Sequence, residues 1–376
     1  MSEKAIDYRF KILYAVGIIM VVCGHTQGGG ITILSDWFPY EGIHLALFMF
    51  CSGYFYKSKV EGNIRQYVLK KVKTLLVPLY LYNIAYGIFV QLTRLKAFEI
   101  GGDFTLYNIL IAPITNGHQF IYNMGGWFIA PLFMVEVYNV LLRKLLKNIN
   151  KNIPEIVFFI INVCLGLIGN WMACSGYRDG LCLVVTRMLY FIPFYGLGIF
   201  YKNALEKYEK KLPGFWYFAV IFGIKLWIIY YYGKVPTYTP SWCDDFNEGI
   251  VMPILVGYTG IALWMRIASI LEPVIGQSKW VNLIADNTYS IMINQFLGFM
   301  IVKGTLGLLG RVYSEFVDFS WDNFKTDIGW YYRPKGLWNS LILYVIGGIV
   351  FSIAVQKALD HIKLLWRSQK KKGMVK

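Results

Sequence analysis

Ten stretches of this 376-residue chain are apolar enough to lie in lipid, and that repeated pattern limits its fold more than any other feature of the sequence. A span needs about 20 mostly apolar residues to cross a hydrocarbon core of about 30 Å. Runs of this kind fall near 12–29, 42–56, 75–93, 126–142, 155–172, 181–200, 213–233, 249–266, 287–306 and 337–356, of which the second and fourth are short. No water is available in the core to satisfy backbone N–H and C=O groups, so such runs must cross as helices. The expected fold class is therefore all-α, a polytopic transmembrane helical bundle of about ten spans forming a single domain over 1–376. A content of 56% hydrophobic and 16% charged residues agrees with this and disfavours two or three soluble domains. No cleavable signal is evident, because the first apolar run lacks an A-x-A-like site and many more spans follow it.

Orientation follows from where Lys and Arg collect. With the N-terminus inside, the inner segments carry 26 of the 37 basic residues and the outer segments 9, while Arg187 and Lys225 fall within spans. Every odd-to-even connection is poor in cations, which predicts an even number of spans and both termini cytoplasmic, as in a multi-pass protein of the plasma membrane. The formal charge of +15 is thus a topology signal, and nucleic acid is not expected as a partner because no soluble basic face gathers it. Residues 357–376 read as a basic tail at the membrane surface, with lipids as neighbours. The acidic stretches CDDFNEG (243–249) and YSEFVDFSWDNFKTD (313–327) fall outside, in the longest external loops, which often carry function. Cys174, Cys182 and Cys243 fall in or near outer loops, where one disulfide is open to them, although unpaired thiols are the preferred reading.

The first apolar run ends in GIIMVVCGHTQGGG (17–30), with one titratable side chain where the apolar character gives out. If helix one enters near Lys11, His25 lies about 21 Å deeper at about 1.5 Å per residue, in the outer third of the membrane. His44, near the outer start of the second run, comes to a similar depth on an antiparallel neighbour. Ionisable groups in spans are costly and usually face a protein-lined cavity, so both are functional candidates. An imidazole there suits a general base for a hydroxyl nucleophile. Two histidines without a local third ligand are a weak zinc signal, and no metal is expected. Arg187 needs a carboxylate or a ligand, with a substrate or donor contact favoured over a pair with Glu136. Glu136 could instead orient His25. Lys225 is read as snorkelling. Lys70, Lys71 and Lys73 fit either donor phosphates or a plain basic inner loop. Trp127 and Phe128 are read as packing aromatics before sugar platforms, and Ser52 as a small-residue helix contact with no base at its depth.

Six segments in order carry a resemblance. The helix DYRFKILYAVGIIMVVCGH, then IHLALFMFCSGYFYK, VLKKVKTLLVPLYLY, GGWFIAPLF, RMLYFIPFYGLGIFYK and LIADNTYSIMINQF are similar to the integral-membrane acyltransferase 3 family, particularly its branch that O-acetylates sugars and polysaccharides. The resemblance covers about residues 5–305. It implies that His25 is catalytic, and it covers His44, Phe48, Ser52, Gly53 and Tyr54 as a second signature. Two positions depart from the family pattern. Tyr14 stands where a cation is common, so that its task in donor binding falls to Arg9 and Lys11 or is met in another way, and Gln295 stands where a histidine is common, which removes an acid-base group there and leaves Asn294 and Gln295 as candidates for hydrogen bonds to substrate.

The resemblance implies a cytosolic acyl-CoA donor, by default acetyl-CoA, and an acceptor hydroxyl on a lipid-linked or nascent glycan. No bound cofactor is expected, and a homo-oligomer is left open. The basic inner face, the deep histidine and the acidic, aromatic outer loops fit that chemistry independently. A tunnel between the two faces, with His25 taking the proton from the attacking hydroxyl, is predicted, with an acyl-imidazole relay on the same residue as the alternative. A transporter or flippase for a glycan or small anionic solute is the alternative, and the lack of an inverted repeat weighs against it.

Overall fold

Asp7 opens the first helix by accepting the Arg9 backbone N–H at 3.2 Å, satisfying one of the donors a helix start leaves free. The computed structural model describes residues 6–26, 37–313, 316, 318–336 and 338–373. The glycine run 28–30, part of the motif that follows His25, lies outside the described residues. The elements are α1 (Tyr8–His25), α2 (His44–Tyr54), α3 (Ile64–Lys71), α4 (Val77–Arg94), α5 (Ala112–Thr115), α6 (Ile129–Ile149), α7 (Glu155–Cys174) and α8 (Gly180–Phe200). They continue as α9 (Glu206–Glu209), α10 (Gly214–Tyr232), α11 (Met252–Ile275), α12 (Lys279–Asp286), α13 (Thr288–Leu309), α14 (Trp321–Thr326) and α15 (Leu341–Gly373). A π-helical turn, Val72–Leu76, joins α3 to α4. Pro78 has no N–H to close on Thr74, and the turn before it widens.

Among the described residues, nine helical segments are long and apolar enough to cross a membrane. The remaining crossing is made by α2, which has only 11 residues. Its first residue, His44, shares a cavity with His25 at the end of α1. Its last, Tyr54, packs its ring 4.1 Å from that of Phe10 at the start of α1. Glu206 ties the same two ends together, accepting Arg9 at 2.8 Å and the Tyr54 hydroxyl at 3.0 Å. The short helix therefore returns the chain to the side it started from, and the number of crossings stays even. At the other end of the chain, the Ser290 hydroxyl near the start of α13 donates to the Ser352 carbonyl well along α15, so the last helix runs back toward the lysine-rich inner side.

So short a crossing survives because it is packed against backbone. A Cβ on Gly53 would lie 2.0 Å from the Tyr195 carbonyl oxygen, and one on Gly198 would lie 2.1 Å from that of Phe50. Only glycine at both positions lets α2 and α8 approach this closely.

Three sequence readings need correction. Lys225 does not snorkel: it is fully buried, with Nζ 4.9 Å above the Phe38 ring and no hydrogen-bond partner. Phe38 and Trp37 both pack on Phe222 of the same helix, 5.6 and 5.8 Å between rings, and cover that face of α10. Lys303, counted above with the outer-loop cations, is also buried and donates to the Ile328 carbonyl at 2.6 Å. Ser52 does have a carboxylate at its depth, because Glu136 on α6 reaches it. All six cysteines are free thiols.

Candidate active site

Two cavities lie along α1 and α2, one toward each end of α2, and between them they collect most of the residues singled out from the sequence. The outer one, about 220 Å³, is lined by His25, His44, Tyr40, Glu41, Trp127 and the segment Tyr238–Ser241, among others. The inner cleft, about 1280 Å³, is lined by Tyr14, Ser52 and Glu136 together with Lys57, Lys59, Arg65, Lys70, Lys71 and Lys73.

His25 is the last residue of α1, and the Tyr331 hydroxyl donates to its otherwise free carbonyl at 2.6 Å. Its Nδ1 lies 3.2 Å from Gln295 Oε1. The fully buried Gln295 amide has its own orientation fixed, since its Nε2 donates to the Met292 carbonyl at 3.0 Å. An amide oxygen can only accept, so His25 carries its proton on Nδ1 and keeps Nε2 as the basic nitrogen. Phe296 packs against the ring, 4.8 Å between centroids. His44 is oriented in the same way, with Nδ1 on the Tyr40 carbonyl. Among the described residues no cluster of three or more His, Cys, Asp or Glu is placed to hold a metal.

Asn294, one residue before Gln295, is not part of this cavity. It accepts the Tyr86 hydroxyl at 2.8 Å and gives both amide protons to Ser290, at 3.0 and 2.9 Å, so its hydrogen-bonding capacity is used in packing.

Arg187 pairs with neither Glu136 nor His25. Its guanidinium donates to the carbonyls of Asn116, at 3.1 Å, and Ser241, and it sits 4.9 Å over the Trp127 ring. It fastens two outer loops together immediately behind the cavity wall. Trp127, 6% exposed, is wedged between this cation and the cavity, so packing and lining coincide in one residue. His118, which sequence reasoning passed over, belongs to the same stack, 4.3 Å from the Trp242 ring. Burial, and then the neighbouring Arg187 charge, lower its pKa to about 4.

In the inner cleft Glu136 is nearly fully buried, and one of its oxygens, Oε1, accepts both the Lys71 ammonium and the Ser52 hydroxyl at 2.6 Å. Arg9 and Lys11 do not stand in for a cation at position 14. Arg9 is held by Asp7 and Glu206, at 2.6 and 2.8 Å, and Lys11 by Asp286. Lys71, at the end of α3, is one of the six cations that line the cleft with Tyr14. A neighbouring cleft of about 500 Å³, lined by Lys11, Lys57, Lys202 and Phe55, shares Tyr14 with the first.

The two cavities share no lining residue. In place of the continuous tunnel expected from the sequence, Phe48 stands between them, 5.9 Å from the Tyr14 ring on the inner side and 6.2 Å from the Phe128 ring on the outer side. The residues that line the outer cavity but escaped sequence reasoning, Glu41, Tyr40 and Tyr238, each flank a stretch that drew notice. Glu41 begins the EGIHLALF run, and Tyr238 precedes the acidic CDDFNEG loop.

A family model described as an acyltransferase domain matches residues 7–357 of the chain. No curated protein and no solved structure matches it.

Proposed function

Because the chain belongs to the acyltransferase 3 family of multi-pass membrane proteins, and so is an acyltransferase with an acyl donor and an acceptor, we propose that it is an O-acetyltransferase. The donor is cytosolic acetyl-CoA, the acceptor is a hydroxyl of a lipid-linked or nascent extracytoplasmic glycan, and His25 is the general base. The observation that carries this reading is the Gln295 amide fixed on Nδ1, which leaves Nε2 of an intramembrane histidine basic at a cavity wall. In the step we propose, the acceptor oxygen attacks the thioester carbonyl while Nε2 takes its proton. The C–S bond then breaks, and the departing thiolate takes the proton from the imidazolium, so that ester and thiol leave and the base is restored.

The inner cleft supports a donor with several phosphates. Lys59, Arg65, Lys70 and Lys73 line it, and among the described residues none of the four is engaged by a carboxylate. Tyr14 and His25 stand eleven positions apart on α1, which separates cleft from base by about 16 Å. A donor reaching across must be narrow over that length, as a thioester arm is, and must displace the Phe48 ring.

The test is titration of acetyl-CoA against the purified protein and His25→Ala in detergent, followed by candidate glycans. Saturable binding in both proteins, with CoA release and acetylated glycan only in wild type, is the expected result. A folded wild type that binds no acetyl-CoA would overturn the proposal.

A further inference from the structure

His44 has no part in the proton transfer assigned to His25, yet its ring is held just as firmly. A carbonyl oxygen can only accept, so with Nδ1 on the Tyr40 carbonyl the ring carries its proton there and presents Nε2 as an acceptor. His25 is in the same state, with Nδ1 on the Gln295 amide oxygen. Both histidines are half-buried and line the outer cavity, and among the described residues neither Nε2 has a hydrogen-bond partner.

Close packing of α1 on the start of α2 brings the two rings to one cavity. A Cβ on Gly17 would lie 3.3 Å from the Phe48 ring and 3.8 Å from the His44 carbonyl oxygen, and one on Gly24 would lie 3.0 Å from the Tyr40 ring. Gly17 and Gly24 are roughly two turns apart on one face of α1, and that face runs close along the residues that carry and orient His44. Helical side chains lean toward the N-terminus of their own helix. Because α2 runs inward, His44 leans outward, toward the end of α1 where His25 sits. Val21 of α1 and Leu45 of α2 line the cavity with them. At about 220 Å³ this cavity is smaller than the roughly 300–1,000 Å³ typical of ligand pockets, so groups on its wall meet on one small ring. Two acceptors there call for two donors on the ligand. The reacting hydroxyl is one of them, and on a polyhydroxylated ring the next donor is the hydroxyl beside it.

Resting on the acetyltransferase reading above, we infer that His44 is a specificity residue that makes the acceptor a diol: its Nε2 accepts a hydrogen bond from one hydroxyl of the acceptor ring while His25 takes the proton of the neighbouring one. His44 moves no proton itself. An acceptor that lacks the second hydroxyl leaves this nitrogen facing a C–H group, unpaired and cut off from water.

Acetyl transfer at saturating acetyl-CoA is measured with a neutral glycoside and with its analogues lacking, one at a time, each hydroxyl next to the acetylated position. In wild type one of these analogues loses roughly 5- to 50-fold in kcat/KM, the effect of leaving one buried acceptor unpaired. His44→Asn keeps a side-chain N–H for the Tyr40 carbonyl but has no atom at the place of Nε2. It loses a comparable factor on the parent glycoside and nothing further on that analogue, the signature of two groups that touch. Its acetyl-CoA Kd stays at the wild-type value and reports an intact fold. Wild type that uses every neighbouring deoxy analogue as well as the parent would overturn the inference, and this arm needs no variant. Losses from His44→Asn and from the deoxy position that simply multiply would overturn it as well. A wild type that binds acetyl-CoA and acetylates no sugar would instead remove the reading beneath it.

Discussion

The outer cavity and the inner cleft share two helices, α1 and α2, yet they solve opposite problems. The outer one is small and holds few charges, and its two histidines are each positioned by a single hydrogen bond, His25 on the Gln295 amide oxygen and His44 on the Tyr40 carbonyl. The inner one is nearly six times larger, comparing about 1280 with about 220 Å³, and is lined by six cations on flexible stems. A reacting proton has to be placed to within a fraction of an ångström, so its site rests on buried, fully engaged neighbours. A polyanion can be held by many interchangeable charges at the surface. If that contrast is sound, single substitutions in the outer cavity act on the chemical step, and most of those in the inner cleft act weakly and on binding alone.

The largest expected effect is that of His25→Ala. Loss of a general base lowers kcat by about 10²- to 10⁴-fold, with acetyl-CoA binding unchanged by calorimetry or fluorescence titration. Gln295→Leu comes next. It leaves His25 in place but frees its tautomer, and a fall of about 10- to 100-fold in transfer is expected, as for other groups that orient a reacting residue. A donor Kd that moves along with this rate would break the separation between the two sites.

Within the inner cleft, Lys71 should be the exception. Removing its ammonium leaves the Glu136 carboxylate, with a side chain only 3% exposed, supported by Ser52 alone. Buried pairs lose about 3–5 kcal/mol when one partner is removed, and since Lys71 is 25% exposed a loss of about 2 kcal/mol is expected for Lys71→Ala. Thermal unfolding in detergent checks this, and Glu136→Gln in the same protein should restore most of it. His118 gives a comparable effect through pH. Its folded-state pKa near 4 lies below the ordinary 6.5, so the unfolded chain binds more protons between those values. Stability is therefore complete above pH 6.5 and declines as pH falls toward 4, by on the order of 1–2 kcal/mol at pH 5. A series of unfolding curves from pH 7 to 5 should show the decline, and His118→Gln should flatten it. The smallest effects are those of Lys70→Ala and Lys73→Ala, each weakening acetyl-CoA binding by roughly 2- to 5-fold with kcat untouched, and losing even that at high salt.

The sequence made the frame legible because lipid leaves a chain few choices. Apolar run length located the crossings, and the cation count oriented them. Even the second run, shorter than a regular span, was identified as a crossing, and the structure explains its tolerance through Gly53 and Gly198. His25 stood out for the same reason, as a polar group at a depth where polar groups are rare. What stayed hidden were the partners. Gln295 lies 270 residues from His25 and Glu136 lies 65 from Lys71, and no local pattern encodes which distant side chain a bundle will bring alongside. That is also why Arg9 stood as one candidate for the missing charge beside Tyr14, when packing had committed it to Asp7 and Glu206. Lys225 misled for a related reason: its ammonium rests on Phe38, a ring supplied by another segment of the chain.

The central claim is that donor and acceptor occupy opposite sides of one bundle and meet at His25. Sealed vesicles carrying the protein with its lysine-rich face outward test it directly, with labelled acetyl-CoA added outside and a neutral glycan trapped within. The account predicts labelled ester on the enclosed glycan with wild type and none with His25→Ala. Labelling confined to glycan added on the same side as acetyl-CoA would contradict it.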